Sequence, residues 1–221
     1  MYKMNVCQFP GCKKMSLSSF SADGDTILEI PGYCLEHHKN KLEIKKQIKN
    51  YVLSHDVIIG LDACGITISD LDLSNKKFCA CNLQHCTFSN VHSINLYARM
   101  CMLDFCTFSD CSFTKSNFQF SSFSGAKFIH VLLTDSDLIH NNFNGITAYQ
   151  CSFDNSDLYN SRFVKSVLMN TSLKNCNLKK TLFYESARES VSFKMSNTRE
   201  AVFDRNQNNI LVAFKEKEVL Q

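Results

Sequence analysis

Phenylalanine stands at positions 108, 113, 118, 123 and 128, within the stretch DFCTFSDCSFTKSNFQFSSFSGAKF. A period of five suits neither the helical repeat of 3.6 residues nor the strand repeat of two. Steps of five from Ile68 to Phe203 visit 28 positions, and 23 of them hold Ile, Leu or Phe. The exceptions are Ser93, Ala98, Ala148, Arg188 and Thr198. Two residues before each centre, 22 of the 28 positions hold Ala, Cys, Ser, Thr or Val. Residues two apart on an extended segment point to the same side, so the small and the large residue face inward together. The positions between units are rich in Asn, Asp, Ser and Lys, as in LSNKKF and FDNSDL. Asn, Asp and Ser favour turns. An apolar residue inward and a corner every fifth residue describe a coil, and stacked coils bury a continuous column, which is the logic of a β-solenoid.

The pentapeptides SDLDL, CACNL, TDSDL, NSDLY and KNCNL resemble the A(D/N)LXX pattern of the pentapeptide-repeat family. That resemblance covers about residues 66–205 and implies an all-β solenoid, a right-handed quadrilateral β-helix with four pentapeptides per coil. About seven coils follow, a rod on the order of 30 Å long at the spacing of stacked strands. At Ala98 and Ala148 the large residue is lost while the preceding sites carry Leu96 and Ile146, an exchange that keeps volume roughly constant. Arg188 and Thr198 have no such partner, so the column is expected to become irregular near its C-terminal end.

Twelve cysteines in a short secreted chain would indicate a disulfide scaffold. The opening MYKMNVCQFP has no apolar run of the signal-peptide kind, so reduced thiols or metal ligands, and a soluble cytoplasmic protein, are the expectation. Cys81, Cys86, Cys101, Cys106, Cys111, Cys151 and Cys176 occupy the small inward site, where a thiol fits as a small apolar group. With twenty residues per coil, Cys81 lies over Cys101 and Cys86 over Cys106. Cys64 and Cys79 belong to neither group.

Residues 1–38 carry the remaining cysteines, in CQFPGC and GYCLEHH. Cys7 and Cys12 flank a Pro-Gly turn that can aim both sulfurs at one ion. Cys34 and His37 share a face if a helix begins there. Three thiols and an imidazole close a tetrahedral structural zinc site, with His38 the rival to His37. The segment resembles small treble-clef or ribbon-like zinc knuckles. Residues 39–65 read as a linker, a capping helix and a first strand, the helix stripe being Leu42, Ile44, Ile48, Tyr51 and Val52. Its Lys39, Lys41, Lys45, Lys46 and Lys49 read as a solvated face. Residues 206–221 read as a second cap or a dimer contact through Ile210, Leu211 and Phe214.

The formal net charge of +3 gives no bulk electrostatic reason for a nucleic-acid or membrane partner. No Gly-rich phosphate loop, nucleophile elbow or metalloprotease pattern is present, and catalysis is not expected. The expectation is a protein-interaction scaffold, a bacterial effector or assembly factor. The resemblance also implies secreted effectors that reach a host cell without a cleaved signal peptide. It implies, as the alternative, binding to DNA gyrase or topoisomerase IV by mimicry of duplex DNA, with protection against quinolones or toxins. Between residues 66 and 205 there are 12 acidic against 14 basic residues, a poor copy of a polyanion. Stacking by twenty aligns Met100, Phe120 and His140 in one outward row and Gln119, Ile139 and Tyr159 beside it, with Tyr97 nearby. A row of Ile129, Tyr149 and Met169 is read as their neighbour. Contiguous apolar rows mark binding surfaces, so Tyr97, Met100, Phe120, Ile139 and Tyr159 are the expected partner contacts.

Overall fold

Every fifth residue of the rod takes a left-handed backbone turn, and the coil follows from it. A computed structural model describes residues 5–21, 23–27 and 32–203; segment 206–221, with Ile210, Leu211 and Phe214, lies outside them. From Asp70 to Glu200 the residue two after each centre has φ between 49° and 62° wherever it is not glycine. Gly60, Gly65, Gly125 and Gly145 occupy the same phase. Left-handed backbone costs an ordinary residue roughly 1–2 kcal/mol, and Asn or Asp less, through local hydrogen bonds. Hence the Asn and Asp at 70, 75, 90, 95, 110, 135, 155, 160, 170 and 175.

Four such turns return the chain to its starting face. Thr67 pairs with Thr87, Thr87 with Thr107, Thr107 with Lys127, and so on through Thr147 and Val167 to Ala187, all parallel. That seven-stranded sheet is one face. Strands Val57–Ile59, Lys77–Cys79 and Tyr97–Arg99 begin a second. Single parallel bridges continue it through Asn117, Asp137, Asp157 and Asn177 to Asn197. Rows from Asp62 to Val202 and from Asp72 to Ser192 form the other two. The register is twenty residues throughout, about seven turns of a parallel all-β solenoid. Pairing starts at Val57, earlier than the regular pattern announces, because Leu61 and Ala63 carry the large and small groups in exchanged order and both are buried.

Inside, the large residues stack one coil upon the next. One stack runs Phe88, Phe108 and Phe128 at 4.7 and 4.9 Å between ring centroids. Another runs Phe123, Phe143, Phe163, Phe183 and Phe203 at 4.8–5.1 Å. Leu96 with Ala98 and Ile146 with Ala148 are all buried; beside the first pair a void of about 20 Å³ remains, lined by Phe78 and Phe118 among others. At the C-terminal end Arg188 is buried with its guanidinium 5.0 Å from the Phe203 ring, and Thr198 is exposed. The column does lose its regularity there.

The small inward residue has a second task that its size alone does not reveal. At some of these positions the backbone N–H donates to the side chain one coil later, Leu96 to Ser116, Ser116 to Ser136 and Ser136 to Ser156, and at others, such as Cys86, Cys106 and Ser161, it donates to the carbonyl three residues back. The receiving hydroxyl donates onward to a carbonyl, as Ser136 Oγ does to Phe113 and Thr134. Thiols keep the donor half of this relay, Cys106 to Leu83 at 2.9 Å and Cys86 to Ala63 at 3.0 Å. Buried N–H and C=O groups thereby find partners.

The N-terminal end is covered. Helix α1, Lys41–Ser54, is capped by the Asn40 side chain, which accepts from Glu43 N–H at 3.1 Å. It buries Ile44, Ile48, Tyr51 and Val52 against the first coil. Leu42, expected in that stripe, is 82% exposed because it lies on the far side of the helix. The five lysines from Lys39 to Lys49 are solvated. Lys76, the one cation at a small inward site, sends its ammonium to the carbonyls of Leu53 and His55 at 3.1 and 2.9 Å, where the negative end of the helix dipole favours it. Ser18 pairs with Asp62 of the first coil through N–H to carbonyl at 2.8 Å and through its hydroxyl at 2.9 Å.

Two measurements check this interior. Ser136→Ala should cost about 1–3 kcal/mol by urea unfolding, since it strands Ser116 N–H and the Phe113 carbonyl, whereas outward Ser112→Ala should stay within about 0.5 kcal/mol; equal losses would show that the relay adds nothing. All seven repeat cysteines are buried, and burial pushes the Cys151 and Cys176 thiols up to about 11. Native labelling should therefore spare all seven and denaturation should release them. Fast labelling of Cys106 or Cys111 would mean that the inward phase is wrong.

Candidate functional site

Two places on the molecule hold chemistry that the solenoid itself does not require. The first is the N-terminal knuckle. Cys7 and Cys12 are brought face to face by a tight turn in which Gly11 takes φ +76° and Cys12 N–H donates to the Phe9 carbonyl. A short hairpin, β1 (Ser19–Phe20) against β2 (Thr26–Ile27), spans part of the long gap to the second ligand pair. Cys34 and His37 then share one side of a single turn, closed by His37 N–H to the Cys34 carbonyl at 3.1 Å. The helix expected to begin there starts only at Lys41.

The four ligand atoms of Cys7, Cys12, Cys34 and His37 all lie within 4.8 Å of one another. Cys12 Sγ is 4.0 Å from Cys34 Sγ, and His37 Nδ1 is 3.6 Å from Cys7 Sγ and 3.4 Å from Cys34 Sγ. A tetrahedron with arms of about 2.3 Å has edges of about 3.8 Å, so a four-coordinate ion fits. The Phe9 ring stacks on His37 at 3.9 Å and 12°, fixing the imidazole. His38 turns away, its Nδ1 3.0 Å from the Asn40 carbonyl. Burial pushes the Cys7 thiol up, but the backbone N–H groups of Cys34 and Phe9 and the His37 and Cys34 side chains outweigh it and hold the thiol at about 6. That favours the thiolate a metal requires.

The second place is a corner of the rod. On two other corners, coil-to-coil amide contacts occupy the left-handed positions, as Asn90 to Asp70, Asn155 to Asp135 and Asn175 to Asn155. The corner through Ala80, Met100, Phe120, His140 and Asn160 keeps one such contact, Asn160 Nδ2 to His140 Nδ1 at 2.8 Å, and otherwise departs from this. Met100 is 56% and Phe120 45% exposed. Phe120 stacks on His140 at 5.1 Å and 8°, and the His140 and Tyr159 rings lie perpendicular with centroids 5.7 Å apart. The Arg99 guanidinium sits 5.3 Å from the Phe120 centroid, and the Lys180 ammonium 5.7 Å from that of Tyr159. Among the residues expected as partner contacts, Met100, Phe120, Ile139 and Tyr159 line this corner. Tyr97 stands one row away, on the strand bridged to Asn117. Ile129, Tyr149 and Met169 are not neighbours of this corner. They belong to the seven-stranded sheet, half a coil away, since ten residues rather than one separate the rows. The cations Arg99 and Lys180 and the linking His140 were not part of the expected contact set; their alignment by multiples of twenty, allowing one residue of offset, is the signal that carries them.

Eight copies of the pentapeptide repeats match this chain, over residues 101–128 and 151–186. Over those two stretches the chain is similar to the pentapeptide-repeat family. Solved structures with a similar course of chain include Rfr23, a pentapeptide repeat protein from the cyanobacterium Cyanothece 51142, at 11% identity over 72% of this chain and 99% of that one, TM-score 0.42. Full-length QnrB1, a plasmid-mediated fluoroquinolone resistance protein, is 14% identical over 74% of this chain and 89% of its own, TM-score 0.41. HetL, a pentapeptide repeat protein involved in heterocyst differentiation regulation from Nostoc sp. Strain PCC 7120, is 13% identical over 70% and 92%, TM-score 0.32. No curated protein matches the chain.

Proposed function

We propose that this protein is a non-enzymatic protein-interaction scaffold, in which the solenoid presents the Met100–Phe120–Tyr159 corner to a partner and a zinc ion at Cys7, Cys12, Cys34 and His37 holds the N-terminal cap in place. One observation carries the reading. Met100 and Phe120 occupy left-handed backbone positions at φ 54° and 55°, where Asn or Gly would cost less, and they gain little burial in return. The left-handed turn serves the coil, but exposed Met and Phe side chains at it do not, and contiguous exposed apolar groups mark interaction surfaces. Aromatic and Met side chains are enriched at interfaces, and Arg and Tyr at their energetic centres.

Zinc suits the cap for a reason of size. A segment this short has little core of its own, and a structural zinc supplies roughly 10–16 kcal/mol of apparent binding energy. Four protein ligands leave no open position for a substrate, which supports a structural rather than a catalytic ion. The near balance of charge along the rod supports the scaffold over a mimic of duplex DNA.

Purified protein should carry about one zinc per chain by elemental analysis, in keeping with a four-ligand site. Cys12→Ser should lose it and loosen residues 5–21 in hydrogen exchange; stoichiometric zinc in that variant would remove Cys12 from the site. For the corner, Phe120→Asp with Tyr159→Asp should abolish partner co-purification while circular dichroism and melting temperature stay at wild-type values. Unchanged co-purification in the folded double variant would exclude this corner as the contact.

A further inference from the structure

The corner has a sign as well as an apolar surface. Arg99, Phe120, His140, Tyr159 and Lys180 come from five successive coils, one each, so the ladder spans about 19 Å at the spacing of stacked strands. Within it both faces of Phe120 and one face of Tyr159 are already occupied. Arg99 covers Phe120, Phe120 and His140 lie parallel, and Lys180 covers Tyr159. What the Phe120–His140 stack offers to solvent is its ring edges, the positive pole of the aromatic quadrupole. A cation closes the ladder at each end.

Asp137 and Asp157 on the adjoining face, and Glu200, which follows Lys180 in the corner row, are engaged. Asp137 accepts from Asn117 Nδ2 at 3.1 Å and from the Gln119 amide, and Asp157 accepts from Asn177 Nδ2 at 3.0 Å and Tyr159 N–H at 2.8 Å. Glu200 pairs with Lys179 at 3.5 Å.

We infer that this corner takes an extended acidic protein segment, with carboxylates set against Arg99 and Lys180 and apolar side chains between them over Met100, Phe120 and Ile139. The inference rests on the scaffold reading above and names its partner's chemistry. At 3.2–3.4 Å per residue an extended chain crosses the ladder in about six residues. Charge complementarity of this sort sets partner choice. Single-stranded nucleic acid fits less well, because base stacking needs open ring faces, and both faces of the central Phe120 are closed.

The test uses the full-length chain and fluorescence anisotropy with three labelled probes: a short alternating Glu-Leu peptide, its Lys-Leu counterpart, and oligo-dT of similar length. The Glu-Leu peptide should bind and be weakened by salt. Arg99→Glu with Lys180→Glu should lower its affinity by about tenfold or more and raise that of the Lys-Leu peptide, since like charges in juxtaposition are costly. If that pair disturbs folding, Arg99→Gln and Lys180→Gln singly should each weaken the Glu-Leu peptide. Binding of the Glu-Leu peptide that ignores the charge changes, or equal binding of the Lys-Leu peptide, would overturn the inference. Oligo-dT that binds as tightly and is lost in the same variants would replace it with a general polyanion site. A partner that co-purifies with the charge-reversed protein but not with Phe120→Asp, Tyr159→Asp would overturn the acidic segment and leave the scaffold standing.

Discussion

The left-handed turn at every fifth residue is the constraint on which the rest of this molecule depends. It closes the coil at twenty residues, so that each residue lies over its counterpart one coil away. The backbone ladders, the two Phe stacks, the hydroxyl relay and the corner rows are all consequences of that one alignment. A slip of one residue would turn the inward Phe and Ser outward and break every ladder together. The cost of holding so many residues in left-handed backbone is spread over many ladder hydrogen bonds and a buried column.

A solenoid of this kind leaves each end with an unpaired strand edge and an open column. At the N-terminal end both problems are met by the same segment. Helix α1 covers the column with Ile44, Ile48 and Val52, Ser18 satisfies Asp62 along the edge, and Lys76 fastens the helix terminus. The cluster of Cys7, Cys12, Cys34 and His37 ties the knuckle that delivers Ser18 to the turn that precedes the helix. An ion there would act at a distance on the first coil through chain connectivity alone.

Much of the fold was legible because inward and outward positions are chemically so different. The period of five at Phe108–Phe128 and the small residues two before each centre reported the column directly, and the cysteines at 81, 86, 101 and 106 sorted themselves by the same phase. The Cys/His cluster was legible too, since Cys7, Cys12, Cys34 and His37 stand in two local pairs. The hydroxyl relay was not. A serine chosen for size and one chosen for its hydrogen bonds look alike in a sequence. Nor was the exposure of Leu42, since a single apolar residue fits either edge of a helical stripe.

The amino-acid sequence by itself determined the coil and its inward phase, because these are set by contacts whose spacing repeats, and it placed Cys7 near Cys12 and Cys34 near His37 by their closeness in the chain. Only the tertiary structure decided how outward side chains meet. It set the Arg99 guanidinium over the Phe120 ring and the Lys180 ammonium over the Tyr159 ring, extending at both ends the stack of Phe120 on His140. Exposed side chains answer to no packing requirement of the coil, so nothing in the repeat specifies their orientation. The direction in which Arg99 and Lys180 reach is settled by the rings they find in the adjacent coil.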